Sequence, residues 1–291
     1  MKKLFVIGNP VKHSLSPEIH NHWLVKYKTN CVYEKLELDK DPERLEDQQK
    51  QLIRQIRLGE VMGVNITVPF KQRFQKYVDE EEQNAVIAQA INTIYRRDNK
   101  LIGSNTDGIG FYNSLVKDFN CNVPKVIHIL GAGGASYGIL SELLNYNVKI
   151  VNISNRTESK AEMMVNHFKK IKKFSSTKFH LRNIYDPPDQ TVGMFINTSS
   201  IGMKGNQMDE NKFESLFTLL SRDAIVYDIN YNKSQTIFNK LAEKQKLNSE
   251  KILNGKFMLI RQAAESFNKW FGIKLTKQDI GEGIKILEKF I

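Results

Sequence analysis

The sequence predicts an α/β protein in two parts, the second inserted into the first. Three observations predict it. Short apolar runs alternate with longer amphipathic stretches, the pattern of a parallel sheet flanked by helices. An apolar run, Val126-Ile127-His128-Ile129-Leu130, passes directly into a glycine turn and then a helix. The tail from residue 256 reads as two helices with no strand of their own, so it is expected to pack back on the first part.

Residues 4–7 read as the first strand. Ser16-Pro17-Glu18 then opens a helix, with serine expected at the N-cap and proline at the first helical position. Residues 32–38 form a second strand, and Asp41-Pro42 starts a helix running to Leu58. Residues 64–67 are a third strand ending in a turn at Pro69, and residues 85–90 are helical. Residues 91–96 and 101–103 form a hairpin across Asp98-Asn99. The inserted part begins at Asp107, with strands at 126–130, 149–154, 193–197 and 225–229. Helices are expected up to Tyr146 and over 162–170. The domains are therefore 1–106 with 256–291, and 107–255, with the working site in the cleft between them.

The composition removes several classes. A chain of 291 residues, 41% hydrophobic and 10% aromatic, buries an ordinary core and is not disordered. Cys31 and Cys121 lie far apart and match no metal spacing, so no metal is expected, and their scarcity fits a reducing cytoplasm. The apolar start ends at Gly8-Asn9-Pro10, short of the roughly 7–15 residues a signal peptide needs. No stretch approaches the ~18 apolar residues of a membrane span. The net charge of +11 is spread along the chain. Its densest cluster, Phe168-Lys169-Lys170-Ile171-Lys172-Lys173-Phe174, reads as a solvated helix end rather than a nucleic-acid patch. The expected protein is cytoplasmic, a monomer or homodimer, with small-molecule ligands and neither a nucleic-acid nor a membrane partner.

The glycine turn carries the first functional signal. In Gly131-Ala132-Gly133-Gly134-Ala135-Ser136, Gly131 permits the tight turn and Gly133 lets backbone N–H groups approach a pyrophosphate. Ser136, in the third glycine position, is small enough for close helix–strand packing. The strand before and helix after it favour a Rossmann-type dinucleotide site over a plain α/β turn. About twenty residues on, the next strand ends in Asn155-Arg156-Thr157, where an NAD site usually places a carboxylate. A guanidinium there pairs with a 2′-phosphate, so NADP is the expected cofactor. Asn155 and Thr157 also suit the cap of the helix that follows.

Several polar stretches ahead of this unit ask for more than packing. They are Asn65-Ile66-Thr67-Val68-Pro69-Phe70-Lys71, Asn92-Thr93, and Gly103-Ser104-Asn105-Thr106-Asp107-Gly108. Each alone reads as a surface loop. With Ser14-Leu15-Ser16-Pro17, Asn197-Thr198-Ser199-Ser200-Ile201-Gly202-Met203, Tyr227-Asp228-Ile229-Asn230-Tyr231-Asn232 and Gln262-Ala263-Ala264-Glu265-Ser266-Phe267, the chain resembles the shikimate dehydrogenase family over its full length and in the same motif order.

The resemblance implies an α/β substrate domain carrying an inserted Rossmann-type NADP-binding domain. It implies reversible NADPH-dependent reduction of 3-dehydroshikimate to shikimate, a step of chorismate and aromatic amino-acid biosynthesis. Lys71 and Asp107 would be catalytic. Ser14 and Ser16 would bind the substrate carboxylate, and Asn65, Thr67, Asn92 and Asp107 the ring hydroxyls, with Tyr231 and Gln262 also on substrate. Residues 131–136 and 155–157 would bind the cofactor, with Ile229 and Gly255 near the nicotinamide. Lys71 would stabilise the developing alkoxide and supply the proton while Asp107 holds its ammonium. Three positions depart from the family pattern: Phe257 replaces a second glycine, Tyr137 a common arginine and Lys233 a frequent proline. The nearest rival is a quinate/shikimate dehydrogenase using NAD or NADP. A non-catalytic binding protein on the same fold should lack the lysine–aspartate pair, which is present here.

Overall fold

The first apolar run becomes strand β1 (Lys2–Gly8), with Leu4, Val6 and Ile7 buried. A computed structural model of the protein describes residues 1–202, 210–231 and 235–291; Met203, Asn232 and Lys233 lie outside them. Helix α1 (Ser16–Lys26) follows β1, but Leu15 holds the cap position. Ser16 is the first helical residue instead, because its hydroxyl is engaged with Ser14 rather than with the helix backbone. Strand β2 (Cys31–Glu37) leads to helix α2 (Pro42–Leu58). There Asp41 accepts from the Arg44 N–H, and Gly59 closes the helix in the left-handed region at φ 74°. The buried residues of α2, Leu45, Gln49, Leu52, Ile53 and Ile56, recur at helical spacing.

Strands β3 (Val61–Ile66) and β4 (Glu80–Glu81), helix α3 (Gln83–Ala88), strands β5 (Thr93–Arg97) and β6 (Lys100–Ser104), and helix α4 (Asp107–Asn113) continue the chain. The β5–β6 hairpin turns on Asp98 and Asn99, both at positive φ as a two-residue turn requires. Among the described residues the sheet order is β2-β1-β3-β5-β6-β4. Strands β1 and β3 are parallel, while β5 is antiparallel to both β3 and β6. The ends of β1, β3 and β6 and the start of β5 therefore share one edge. One sheet face packs a core of Leu45, Leu52, Ile56, Val64, Ile66, Phe70, Phe74 and Ile94.

A second sheet is built from β7 (Val126–Leu130), β8 (Ile150–Ser154), β9 (Lys178–Arg182), β10 (Val192–Asn197), β11 (Leu220–Asp228) and β12 (Ile252–Asn254). Helices α5 (Gly134–Leu143), α6 (Glu158–Lys169) and α7 (Ile237–Lys244) connect them. Its order is β12-β11-β10-β7-β8-β9, all parallel. The chain leaves β7 toward β8 and later returns to β10 on the other side. The β7–β10 crevice is thus the point where strand order reverses, the usual ligand position in such sheets.

The chain ends in α8 (Lys256–Phe271) and α9 (Lys277–Leu287). It divides into one unit of Met1–Phe111 with Leu259–Phe290, and another of Tyr112–Met258 with Ile291. Helices α4 and α8 each run across a junction. In the first unit, the Trp270 indole of α8 donates to the Ile94 carbonyl at 3.1 Å, and Phe267 meets Trp23 of α1 edge-on. Among the described residues no helix is long and apolar enough to cross a membrane.

Candidate active site

The shared edge of the first sheet gathers side chains that lie far apart in sequence. Asn65, the penultimate residue of β3, lies directly opposite Thr93, the first residue of β5, and Thr93 faces Ser104 at the end of β6. The loop after β3 carries Thr67 and returns through Phe70 to Lys71, whose carbonyl accepts the Ile91 N–H at 2.7 Å. The loop after β6 carries Thr106 and starts α4 at Asp107.

Lys71 Nζ donates to Asp107 Oδ2 at 2.5 Å, with the lysine side chain 14% and the aspartate 6% exposed. Asn92 holds the other oxygen, its Nδ2 donating to Asp107 Oδ1 at 2.9 Å. The same nitrogen donates to Thr106 Oγ1 at 2.9 Å, while the Thr106 backbone N–H donates to Asn92 Oδ1 at 2.8 Å. A backbone N–H can only donate, so this bond fixes which amide atom of Asn92 faces the carboxylate. Both amide protons of Asn92 are therefore committed to holding Asp107 and Thr106.

Asn65 is equally occupied. Its Oδ1 accepts from the buried Tyr33 hydroxyl at 2.7 Å. Its Nδ2 lies within bonding range of Ser266 Oγ, Thr93 Oγ1 and the Asn92 carbonyl. Ser14 Oγ and Ser16 Oγ are 3.2 Å apart at the start of α1. Gln262, on α8, donates through Nε2 to the Leu259 carbonyl, and its Oε1 lies 3.5 Å from Thr106 Oγ1. This cluster of the first unit offers donors and acceptors suited to hydroxyls and a carboxylate, with the Lys71 amine beside them.

In the other unit the glycine loop sits at the end of β7. Gly131 adopts φ +119°, and a Cβ there would stand 2.4 Å from Thr198 Oγ1, so the turn admits only glycine. Thr198, just after β10, donates to the Leu130 carbonyl at 2.9 Å. With that proton spent, Ser136 is the donor in its 2.6 Å contact with Thr198 Oγ1, and it accepts from the Gly133 N–H at 3.1 Å. Ser136 thus ties the helix start to β10, more than its small size required. A Cβ at Gly133 would meet nothing within 4 Å. The start of α5 is therefore open, with backbone N–H groups that no helical carbonyl takes up.

Asn155, Arg156 and Thr157 follow β8, with Arg156 and Thr157 exposed. Asn155 Nδ2 donates to the Thr157 carbonyl at 2.8 Å, while Thr157 takes the cap position of α6 without a side-chain capping bond. Ile229 and Gly255 meet directly, since a Cβ on Gly255 would lie 1.9 Å from the Ile229 carbonyl oxygen. Tyr231 stands just past β11, half-buried. Phe257 packs edge-on against Phe119, ring centres 4.9 Å apart. Tyr137 turns inward against His167 and Phe168, and burial raises its phenol pKa.

Comparison with known proteins places this geometry. The family profile described as "Shikimate dehydrogenase substrate binding domain" matches residues 6–94. A Pelagibacter ubique protein named shikimate dehydrogenase (NADP(+)) is 40% identical over 99% of this chain and 100% of its own length. The chain belongs to the shikimate dehydrogenase family. Among solved structures, a shikimate dehydrogenase in complex with NADP+ superposes with a TM-score of 0.83 at 31% identity, covering 100% of this chain and 96% of that one. A Listeria monocytogenes shikimate 5-dehydrogenase, in complex with shikimate and NAD, gives 0.79 at 26% identity over 97% and 96%.

Three polar groups of these clusters, Tyr33, Thr93 and Ser266, received no role from the sequence, although Thr93 and Ser266 stood in stretches singled out there. Tyr33 lies in a strand with no polar signal of its own, and Ser266 stood in a motif from which only Gln262 drew a role. The signal for Thr93 was its place beside Asn92 at a strand start. A fourth is Asp228 at the end of β11, which accepts from Asn197 Nδ2 at 2.9 Å and from the Asn230 N–H at 3.0 Å. Burial pushes its pKa up to about 6. It fixes Asn197, whose Oδ1 in turn accepts from the Ser199 N–H and hydroxyl.

Proposed function

We propose that this chain is an NADP-dependent oxidoreductase that interconverts 3-dehydroshikimate and shikimate in aromatic amino-acid biosynthesis. The observation that carries the reading is the Lys71–Asp107 pair, held by Asn92 inside a unit that matches the family's substrate-binding profile.

Reducing a ring ketone places negative charge on oxygen as hydride reaches carbon. Lys71 is the proton donor to that oxygen and stabilises its charge as it forms. Asp107 fixes the ammonium and offers an acceptor to a neighbouring hydroxyl. Ser14 and Ser16 present paired hydroxyl donors for the substrate carboxylate, and Thr67, Gln262 and Tyr231 are further substrate contacts. Asn65 and Asn92 act at the ring hydroxyls chiefly by fixing the groups around them.

The second unit fits a dinucleotide because the tight φ +119° turn at Gly131 leads into an open helix start at Gly133, where a pyrophosphate can approach the first backbone N–H groups of α5. NADPH, when bound, supplies the hydride. Residues 131–136 cradle its phosphates, the exposed Arg156 pairs with the 2′-phosphate, Asn155 and Thr157 shape that turn, and Ile229 with Gly255 lines the nicotinamide end.

The test is a spectrophotometric assay of shikimate and quinate, each with NADP and with NAD. The proposal expects shikimate with NADP to give the highest kcat/KM. A preference for quinate, or for NAD, would move the assignment to the quinate/shikimate dehydrogenases. No turnover with any pair would overturn it.

A further inference from the structure

We propose that Ser266 is a positioning residue whose hydroxyl locks the polar cluster behind Lys71 and Asp107; the inference rests on the proposed activity for its kinetic readout. Ser266 is fully buried on α8. Its Oγ lies 2.8 Å from Thr93 Oγ1, 2.9 Å from Asn65 Nδ2, 3.3 Å from Thr106 Oγ1 and 3.1 Å from the Gln262 carbonyl. A helix serine bonded to the carbonyl four residues back satisfies itself locally and needs no other partner. Here the same oxygen also meets three side chains from β3, the start of β5 and the loop after β6.

Proton accounting shows what the hydroxyl does. Asn92 Oδ1 already accepts from the Thr106 N–H, and Asn65 Nδ2 can only donate. One consistent assignment runs from Thr93 Oγ1 to Ser266 Oγ and from Ser266 Oγ to the Gln262 carbonyl, with Asn65 donating to both hydroxyls; the single Thr93 proton is then shared between Ser266 Oγ at 2.8 Å and Asn92 Oδ1 at 2.9 Å. Ser266 then gives one bond and accepts two, the full capacity of a hydroxyl. Removing it leaves the Thr93 proton wholly to Asn92 Oδ1, with which it is already in contact at 2.9 Å. The stronger pull on Oδ1 draws the Asn92 amide toward Thr93 and turns the Nδ2 that holds Asp107 Oδ1. Ser266 thus reaches the Lys71–Asp107 pair through Thr93 and Asn92 without touching either member.

The test uses the full chain carrying Ser266→Ala, with Thr93→Val as the isosteric change on the other side of the bond. For Ser266→Ala, kcat for shikimate should fall by about 3- to 10-fold, the worth of one buried hydrogen bond, while KM for NADP stays within a factor of ~2. The double variant should lose little beyond either single one, because both remove the same bond. Side-chain amide resonances of Asn65 and Asn92, followed by nitrogen-15 NMR, should shift in Ser266→Ala. Unchanged kcat with unchanged resonances overturns the proposal, as does a double variant whose losses multiply. If the unaltered chain fails to turn over shikimate, the functional reading falls alone, and the resonances still decide the role of Ser266.

Discussion

Removing the Asn92 side chain should be unusually costly for a single polar residue, because two buried partners have no substitute. The Thr106 N–H loses its acceptor at 2.8 Å, and Asp107 Oδ1 loses its donor at 2.9 Å. An orphaned buried N–H costs ~1–3 kcal/mol, and a lost bond to a charged group ~1.5–3 kcal/mol. Asn92→Ala should therefore destabilise by about 3–5 kcal/mol, read as a shift in the urea midpoint at constant m. Asn92→Asp is the sharper probe. It keeps the shape and the Thr106 acceptor but sets a second carboxylate against Asp107. Two carboxylates at that spacing resist joint ionisation, so the loss should grow from pH 4 to pH 8. Less than about 1 kcal/mol of destabilisation in Asn92→Ala, or a pH-independent loss in Asn92→Asp, would refute the reading of Asn92 as the residue that holds Asp107.

Four further outcomes follow from named groups. Burial lowers His20 and His128 to about 3 from an ordinary 6.5, so below that ordinary value the unfolded chain binds protons that the folded chain refuses. Stability should fall as pH drops from ~6.5 toward 4, on the order of 3 kcal/mol per histidine, and His20→Phe should flatten part of that limb in acid denaturation. Asp228, raised to about 6, works in the opposite sense: its contribution is present at low pH and is lost as pH rises through 6. Arg156→Ala should raise KM for NADPH much more than for NADH, and equal effects would remove Arg156 from 2′-phosphate recognition. Gly255→Ala places a Cβ 1.9 Å from the Ile229 carbonyl oxygen, so it should lower the thermal midpoint or abolish soluble expression, whereas Gly133→Ala should fold normally.

Much of this molecule was legible in its sequence because period and punctuation agree. The capped run of α2, the Asp98-Asn99 turn and the passage from residues 126–130 into glycine each announce a local geometry. Strand β9 was missed because Lys178-Phe179-His180-Leu181-Arg182 follows directly on a lysine-rich helix end that masks its alternation. Strand β12 was missed because three residues carry no period. The proposed catalytic side chains were readable only as a set, since Lys71 follows β3 and Asp107 opens α4, 36 positions apart, and the sheet edge brings them together. What Ser266 and Tyr33 touch was not readable, although Ser266 stood in a quoted motif. Their roles exist only once α8 and β2 are packed, which no local pattern encodes.

The central claim is that Lys71, held by Asp107, delivers the proton that accompanies hydride transfer. Steady-state kinetics of Lys71→Ala with shikimate and NADP tests it most directly. The account predicts a fall in kcat of about two to four decades with a small change in KM, in a protein that still binds NADP. A folded Lys71→Ala variant with near-normal kcat would contradict it.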